Sequence, residues 1–206
     1  EPVGKDVLSL RIRAASGEDL PEWAAGAHVD LLLPGVGARQ YSLCGRADER
    51  AVYRVAVLRE PAGSGGSAYV HERLRAGDAV QLRGPRNTFG LQPASGYRFV
   101  AGGIGITAIL PMVREAEARG DDWTLVYLAR STQGHAFRDE LDDLPRERVT
   151  LVNTAETGRP PIESVVGTYR EGSMLYACGP AGLLEAISAS SWPADAIHFE
   201  RFEPDR

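Results

Sequence analysis

The pattern of apolar and polar positions changes character about half-way along the 206 residues. In the first half it repeats every two residues, the mark of strands with one buried face. It predicts strands at Asp6–Ala14, His28–Leu33, Gln40–Cys44, Ala51–Arg59 and Ala79–Arg83, and a short helix from about Ala68 to Arg75. Pro34-Gly35, the Gly45–Arg50 loop and Gly84-Pro85 punctuate them. Several short strands separated by turn signals imply a small β-barrel. In the second half, short apolar runs alternate with helical periodicity. Strands are predicted at Arg98–Ala101, Trp123–Ala129, Val149–Asn153 and Ser173–Ala177. Helices are predicted at about Thr107–Ala118, Ala136–Leu141 and Ala181–Ser190, with Gly120 stopping the first. This alternation implies an α/β domain with a doubly wound parallel sheet. The boundary is expected near Leu91–Gly96, giving domains at 1–93 and 94–206.

Composition narrows the function classes. The 28 acidic and 23 basic residues leave a net charge of −5, which provides no electrostatic footprint for nucleic acid. No run approaches the roughly 18 apolar residues of a membrane span, and no signal peptide is evident. The chain starts at Glu1, and both ends are expected to be trimmed. Cys44 and Cys178 are too few for a disulfide scaffold, so the chain reads as cytoplasmic. His28, His71, His135 and His198 have neither zinc-ligand spacing nor a place in a Ser/His/Asp order. They read as structural, and no metal site is expected. Asp139-Glu140 and Asp142-Asp143 read as a solvated helix face.

Four segments carry candidate chemistry. Gly102-Gly103-Ile104-Gly105-Ile106-Thr107 lies between a strand and a helix, where free backbone N–H groups can hold a phosphate. Gly103, Gly105 and Ala108 satisfy G-x-G-x-x-[G/A]. The acidic residue expected some twenty positions on is lacking, which disfavours a plain Rossmann dehydrogenase. Cys178-Gly179-Pro180 ends another predicted strand and would share the ligand-binding rim of the sheet. Arg39-Gln40-Tyr41-Ser42 sets a guanidinium and an aromatic ring two positions apart on one strand face, suited to a phosphate and a planar ring. Gly65-Gly66-Ser67 opens a helix and could cradle a second phosphate. Taken singly, each also reads as an ordinary turn, strand or buried small residue.

Taken in order, these segments resemble the ferredoxin–NADP reductase superfamily, most closely its phthalate dioxygenase reductase-like branch. The likeness runs through Arg39–Cys44, Tyr53–Arg59, Gly65–Ser67, Gly84–Asn87, Val100–Thr107, Ala136–Leu141, Tyr176–Pro180 and His198–Phe202. It implies a flavin-binding β-barrel followed by an NAD(P)-binding α/β domain. Hydride would pass from NAD(P)H to the flavin, and electrons would leave singly to an iron–sulfur centre serving an oxygenase. The resemblance assigns Arg39, Gln40 and Gly65, Gly66 and Ser67 to the flavin phosphate side. Tyr41 and Ser42 would lie against the ring, Ser42 near N5, with Ala56, Val57 and Leu58 offering backbone groups. Gly103, Gly105, Ile106, Thr107, Arg130, Cys178, Gly179 and Pro180 would hold the nicotinamide nucleotide. Cys178 would sit near its C4, and Phe202 would stack near the flavin. Ser42, Cys178 and Phe202 are thus the residues implied to serve the chemistry.

FMN and NADH are implied first, FAD and NADPH as alternatives; Arg130-Ser131 keeps NADPH open. Ala108 replaces the family's usual proline, and Leu58 stands where a lysine is common. Branch members continue into a plant-type [2Fe–2S] domain that two isolated cysteines cannot supply. Glu203–Arg206 is therefore expected to begin a linker, with that domain either removed or replaced by a separate partner. Alternatives are an FAD- and NADPH-dependent ferredoxin reductase, or a non-catalytic flavin or nucleotide sensor on the same fold.

Overall fold

The computed structural model describes residues 1–202; Glu203–Arg206, read above as a linker stub, lies outside the described residues. Strands β1 (Pro2–Gly4), β2 (Val7–Ile12), β3 (Ala27–Leu33), β4 (Gly37–Ser42), β5 (Tyr53–Leu58) and β6 (Gln81–Asn87) form two antiparallel sheets, ordered β1-β2-β5 and β4-β3-β6. Their inner faces share buried Val29, Leu31, Leu33, Leu43, Tyr53, Val55 and Val57. Val70, from α1 (Gly66–Glu72), joins that core. Alternation fixes which side chains enter it, since neighbours along a strand face opposite ways.

One predicted strand end is corrected. β6 does not stop at Gly84-Pro85 but continues to Asn87. Its pairing with β3 jumps from Asp30↔Arg83 to His28↔Arg86, so Gly84 and Pro85 together stand opposite Val29. This bulge accommodates a proline, which has no N–H for the ladder.

The second half is a five-stranded, wholly parallel sheet of β7 (Gly96–Gly102), β8 (Trp123–Ala129), β9 (Val149–Asn153), β10 (Ser173–Cys178) and β11 (Ile197–Glu200), ordered β11-β10-β7-β8-β9. Helix α2 (Ile106–Arg119) is buried from Ile106 through Val113. A helix apolar on nearly every side has to be enclosed, and α2 lies between the sheet and the barrel. It ends at Gly120, whose φ of 75° is the left-handed cap the sequence signalled. The remaining helices are α3 (Arg138–Asp142), α4 (Thr154–Thr157), α5 (Ile162–Val166) and α6 (Ala181–Ser188).

The two halves share one hydrophobic cluster, in which Val7, Cys44, Ala56 and Phe89 meet Phe99, Ile109, Met112 and Tyr127. Glu140, read from sequence as solvated, instead bridges Arg54 of the barrel (2.6 Å) and Arg114 of α2. Arg114 also donates to the carbonyls of Cys44 and Gly45 at 3.1 and 3.2 Å. Two tyrosines fix the connector between the halves. The Tyr176 hydroxyl accepts from Gln92 N–H at 2.9 Å, and the Tyr97 hydroxyl donates to Gln92 C=O at 2.7 Å. Tyr176→Phe should therefore cost about 1–2 kcal/mol, because a main-chain donor in a partly buried setting loses its acceptor. Urea unfolding of the two proteins measures this; equal midpoints would mean the connector is held by other contacts.

Candidate active site

The strand order makes the sheet's crevice identifiable. From β7 the chain proceeds outward to β8 and β9, then returns to the other side of β7 for β10 and β11. Ligands of such sheets lie outside the carboxyl ends of the strands at this switch point, here between β7 and β10. The Gly102–Gly105 turn leaves β7 there, and Cys178-Gly179-Pro180 leaves β10.

The glycines at this rim divide into two kinds. A Cβ on Gly105 would lie 2.2 Å from the carbonyl oxygen of Cys178, and one on Gly102 would lie 2.7 Å from Pro180 Cδ. One on Gly179 would come within 3.0 Å of Gly102 Cα. These three let the two turns pack against each other. Gly103, at φ +55°, has open space where a side chain would be. Gly103 is thus the glycine of this turn with room above it, while Gly102, Gly105 and Gly179 stand against neighbouring chain. Ile106 and Thr107 are buried, and the Thr107 hydroxyl donates to Ile104 C=O at 2.9 Å, tightening the turn. Arg130 is exposed at the carboxyl end of β8.

Facing this rim is a cluster contributed by both halves. The β3–β4 register sets His28 opposite Ser42, and the β10–β11 register sets Cys178 opposite Glu200. Glu200 joins the two pairs. Its Oε2 accepts from Ser42 Oγ at 3.5 Å, and its Oε1 is 3.9 Å from His28 Nδ1. The Glu200 side chain is 10% exposed and that of His28 6%. Burial pushes the Glu200 carboxyl up to about 7, with the Ser42 hydrogen bond opposing. Burial, reinforced by the Glu200 charge, holds the Cys178 thiol well above its ordinary value. His28 is held below its ordinary value by burial and by Arg86, with Asp30 opposing. Cys178 has no exposed surface.

On the barrel side, the Arg39 side chain lies over the start of α1. A Cβ on Gly66 would be 2.9 Å from Arg39 Cγ, and Arg39 Nη2 donates to Ser64 Oγ at 2.7 Å. Gly65 has φ +94°, and Ser67 Oγ accepts from Glu60 N–H at 3.0 Å, which pins the loop. Tyr41 is half-buried against the barrel clusters, while Gln40 is exposed. The hairpin joining β4 and β5 is held by Cys44 N–H donating to Arg54 C=O at 2.8 Å. The two strands then part, β4 to pair with β3 and β5 with β2. Backbone groups alternate along a strand, so Ala56 and Leu58 face the same edge as Arg54. Their N–H and C=O groups lie along the edge of β5 that β2 does not occupy. Val57 C=O instead accepts from His71 Nε2 at 2.9 Å.

Known proteins resemble this chain in sequence and fold. The chain is 40% identical, over 96% of its length, to the reductase subunit of tert-butanol monooxygenase/tert-amyl alcohol desaturase of Aquincola tertiaricarbonis. It is 36% identical, over 98% of its length, to phthalate dioxygenase reductase of Burkholderia cepacia. A solved phthalate dioxygenase reductase, described as a modular structure for electron transfer from pyridine nucleotides to [2Fe–2S], superposes with a TM-score of 0.91 at 36% identity over 98% of this chain and 65% of that one. No family model matches. The chain is a homologue of these oxygenase reductases and has the phthalate dioxygenase reductase fold. It spans 65% of the length of each of these two curated relatives.

Within this reductase family a flavin and a pyridine nucleotide are the expected ligands, and the residues present fit a flavin. An arginine lies over a glycine-rich helix start, an open strand edge offers backbone donors and acceptors, and a half-buried tyrosine stands between them. Phe199 and Phe202 are the exposed large hydrophobics among the described residues, each at 38%, on β11 and just beyond it. Sequence reasoning gave Phe202 a role but none to Glu200, which stands two positions before it. His28 was taken as structural. Both belong to the buried cluster, because only strand pairing reveals which residues stand opposite Ser42 and Cys178.

Proposed function

We propose that the chain is the flavin- and nucleotide-binding part of an oxygenase reductase. The observation that carries this is the Ser42–Glu200–Cys178 cluster, buried where the barrel meets the switch point of the parallel sheet. Arg39 and the Gly65–Ser67 turn would hold the flavin phosphate, with Gln40 at the exposed edge. Ala56 and Leu58 would offer backbone groups to the ring, and Tyr41 its aromatic face. Gly103, at the turn into α2, would admit the nucleotide diphosphate. Arg130 would meet the far ribose, and Gly179-Pro180 would wall the nicotinamide side. When bound, the flavin accepts a hydride and releases electrons one at a time.

The proton balance assigns a task to the protein. NAD(P)H delivers a hydride, equal to one proton and two electrons. If a bound flavin passed its electrons on singly, that proton would be left for the protein to take up. Ser42 Oγ and the Glu200 carboxyl, poised near neutrality, can accept it. Cys178 would position the nicotinamide by shape, since a thiol held well above its ordinary value stays protonated. Cys178→Ala should slow flavin reduction by about tenfold or more with little effect on flavin affinity. Stopped-flow reduction together with a flavin titration tests this, and unchanged reduction kinetics would remove Cys178 from the role.

FMN and NADH are the proposed ligands, with FAD as the alternative flavin and the exposed Arg130 favouring a trial of NADPH. The proposed acceptor is a [2Fe–2S] centre, on a fused domain or a separate protein, that serves an oxygenase. The two buried free cysteines suit a cytoplasmic setting. The test is a visible spectrum of the purified protein, identification of the released flavin, and anaerobic addition of NADH and then NADPH. A yellow protein bleached faster by NADH supports the reading. A protein that takes up no flavin, or whose flavin ignores both nucleotides, overturns it.

A further inference from the structure

We propose that His28 is a positioning residue of this site, whose imidazole receives the proton from Glu200 and passes it to the barrel surface. The proposal rests on the reading of Ser42 and Glu200 given above and extends it to a third residue.

The placement begins with the backbone. His28 and Ser42 are cross-strand partners of β3 and β4, so their side chains share one sheet face. Glu200 reaches that face from β11 in the other half of the molecule. Its two carboxyl oxygens are thereby divided, Oε2 towards the serine and Oε1 towards the imidazole. His28 Nδ1 is buried and has no hydrogen-bond partner among the described residues. A buried ring nitrogen without a partner is costly, and a carboxyl oxygen 3.9 Å away lies within a small adjustment of bonding distance. When Glu200 carries a proton, its O–H can supply the missing bond.

The charged neighbours set the direction of transfer. Asp30, two positions along β3, and Arg86, opposite His28 on β6, face the imidazole and are paired to each other at 2.7 Å. Around Glu200 stand Ser42 of β4 and Cys178 of β10. Burial, together with the Arg86 charge, keeps a permanent imidazolium unfavourable, so the ring rests neutral and can receive. The O–H bond of Glu200 breaks as an N–H bond forms at Nδ1, and the ring then loses a proton to water beside the Asp30–Arg86 pair. Arg86 is 48% exposed, so this end of the path opens to solvent. No electron changes hands, and one proton leaves for each hydride delivered.

The test is coupling between the two titrations, read by nitrogen NMR of the histidine rings in flavin-loaded, oxidised wild type and Glu200→Gln. Wild-type His28 should show an inflection that follows Glu200. In Glu200→Gln that inflection should vanish while the main His28 midpoint holds, since Glu200 is already protonated when the imidazole titrates. A second measurement covers a failure of that variant to fold. His28→Asn keeps a polar group near the Nδ1 position but cannot titrate. It should shift the frequency of the protonated Glu200 carboxyl band in infrared difference spectra, because the acceptor facing its O–H is changed. Identical His28 titrations with and without Glu200, or an unmoved Glu200 band, would overturn the proposal. A protein that binds flavin without this coupling sinks the proton route alone. A colourless protein with the coupling intact sinks the functional reading, and the route with it.

Discussion

Gly105→Ala should destabilise the protein by about 3 kcal/mol or more, the usual upper range for forcing atoms into a packed site. The added methyl would lie 2.2 Å from the Cys178 carbonyl oxygen, 2.5 Å from its carbon and 2.9 Å from Gly179 N. All three are main-chain atoms, so no rotamer change relieves the clash. The strand carrying Cys178 would have to move away from β7, opening the sheet at its central pair. Backbone preference acts the other way. Gly105 has φ −57° and ψ −15°, a helical conformation in which alanine is normally favoured over glycine by roughly 0.5–1 kcal/mol. Sterics therefore decide the sign. Gly103→Ala is the control, because Gly103 has open space around it and only its φ of +55° resists a side chain. It should cost about 1–2 kcal/mol, the usual price of a left-handed non-glycine residue. Urea unfolding of both variants measures the contrast. If Gly105→Ala were as stable as wild type, the two turns could not be packed as described.

The contrast also shows what the sequence made legible and what it did not. Trp123–Ala129 and Val149–Asn153 are strands with the predicted bounds, because continuous apolar runs between turn signals leave little alternative. β1, β11, α4 and α5 were not anticipated, being three to five residues long and too short for a period to register. The glycine motif was visible, but its division of labour was not. Whether a glycine admits a ligand or a neighbouring strand depends on what lies above it, and β10 is some seventy residues further along. The same limit hid Glu200. Its neighbours in sequence are aromatic and basic, while its partners Ser42, His28 and Cys178 come from three other strands. The Arg54–Glu140–Arg114 bridge was missed for the same reason, since a carboxylate on a short helix reads as solvated until the barrel is set against it.

Glu200→Gln should stabilise the protein at pH 8 by up to about 3 kcal/mol while leaving it nearly unchanged at pH 4.5, taking 1.36 kcal/mol for each tenfold change in proton affinity. The carboxyl titrates near 4.5 in the unfolded chain and at about 7 when folded, because burial disfavours its charged form. Between those values the folded state binds more protons than the unfolded state. Stability from this group is therefore fully present below pH 4.5 and is lost as pH rises to about 7. A glutamine keeps the size and the hydrogen bond to Ser42 but never ionises, so the loss should vanish. His28, held below its ordinary value, contributes a slope of the opposite sign, with stability gained as pH rises past the unfolded histidine. The readout is accordingly the difference between variant and wild type at each pH, taken from urea midpoints at a fixed m-value. A difference that does not change between pH 4.5 and 8 would mean that Glu200 ionises freely in the folded protein, and it could not then store a proton at neutral pH. The same variant should reduce its flavin at close to the wild-type rate but return electrons to a one-electron acceptor about a hundredfold more slowly, the lower end of what a positioned acid–base group contributes. That split, with reduction spared and reoxidation slowed, distinguishes a proton acceptor from a residue that merely supports the fold.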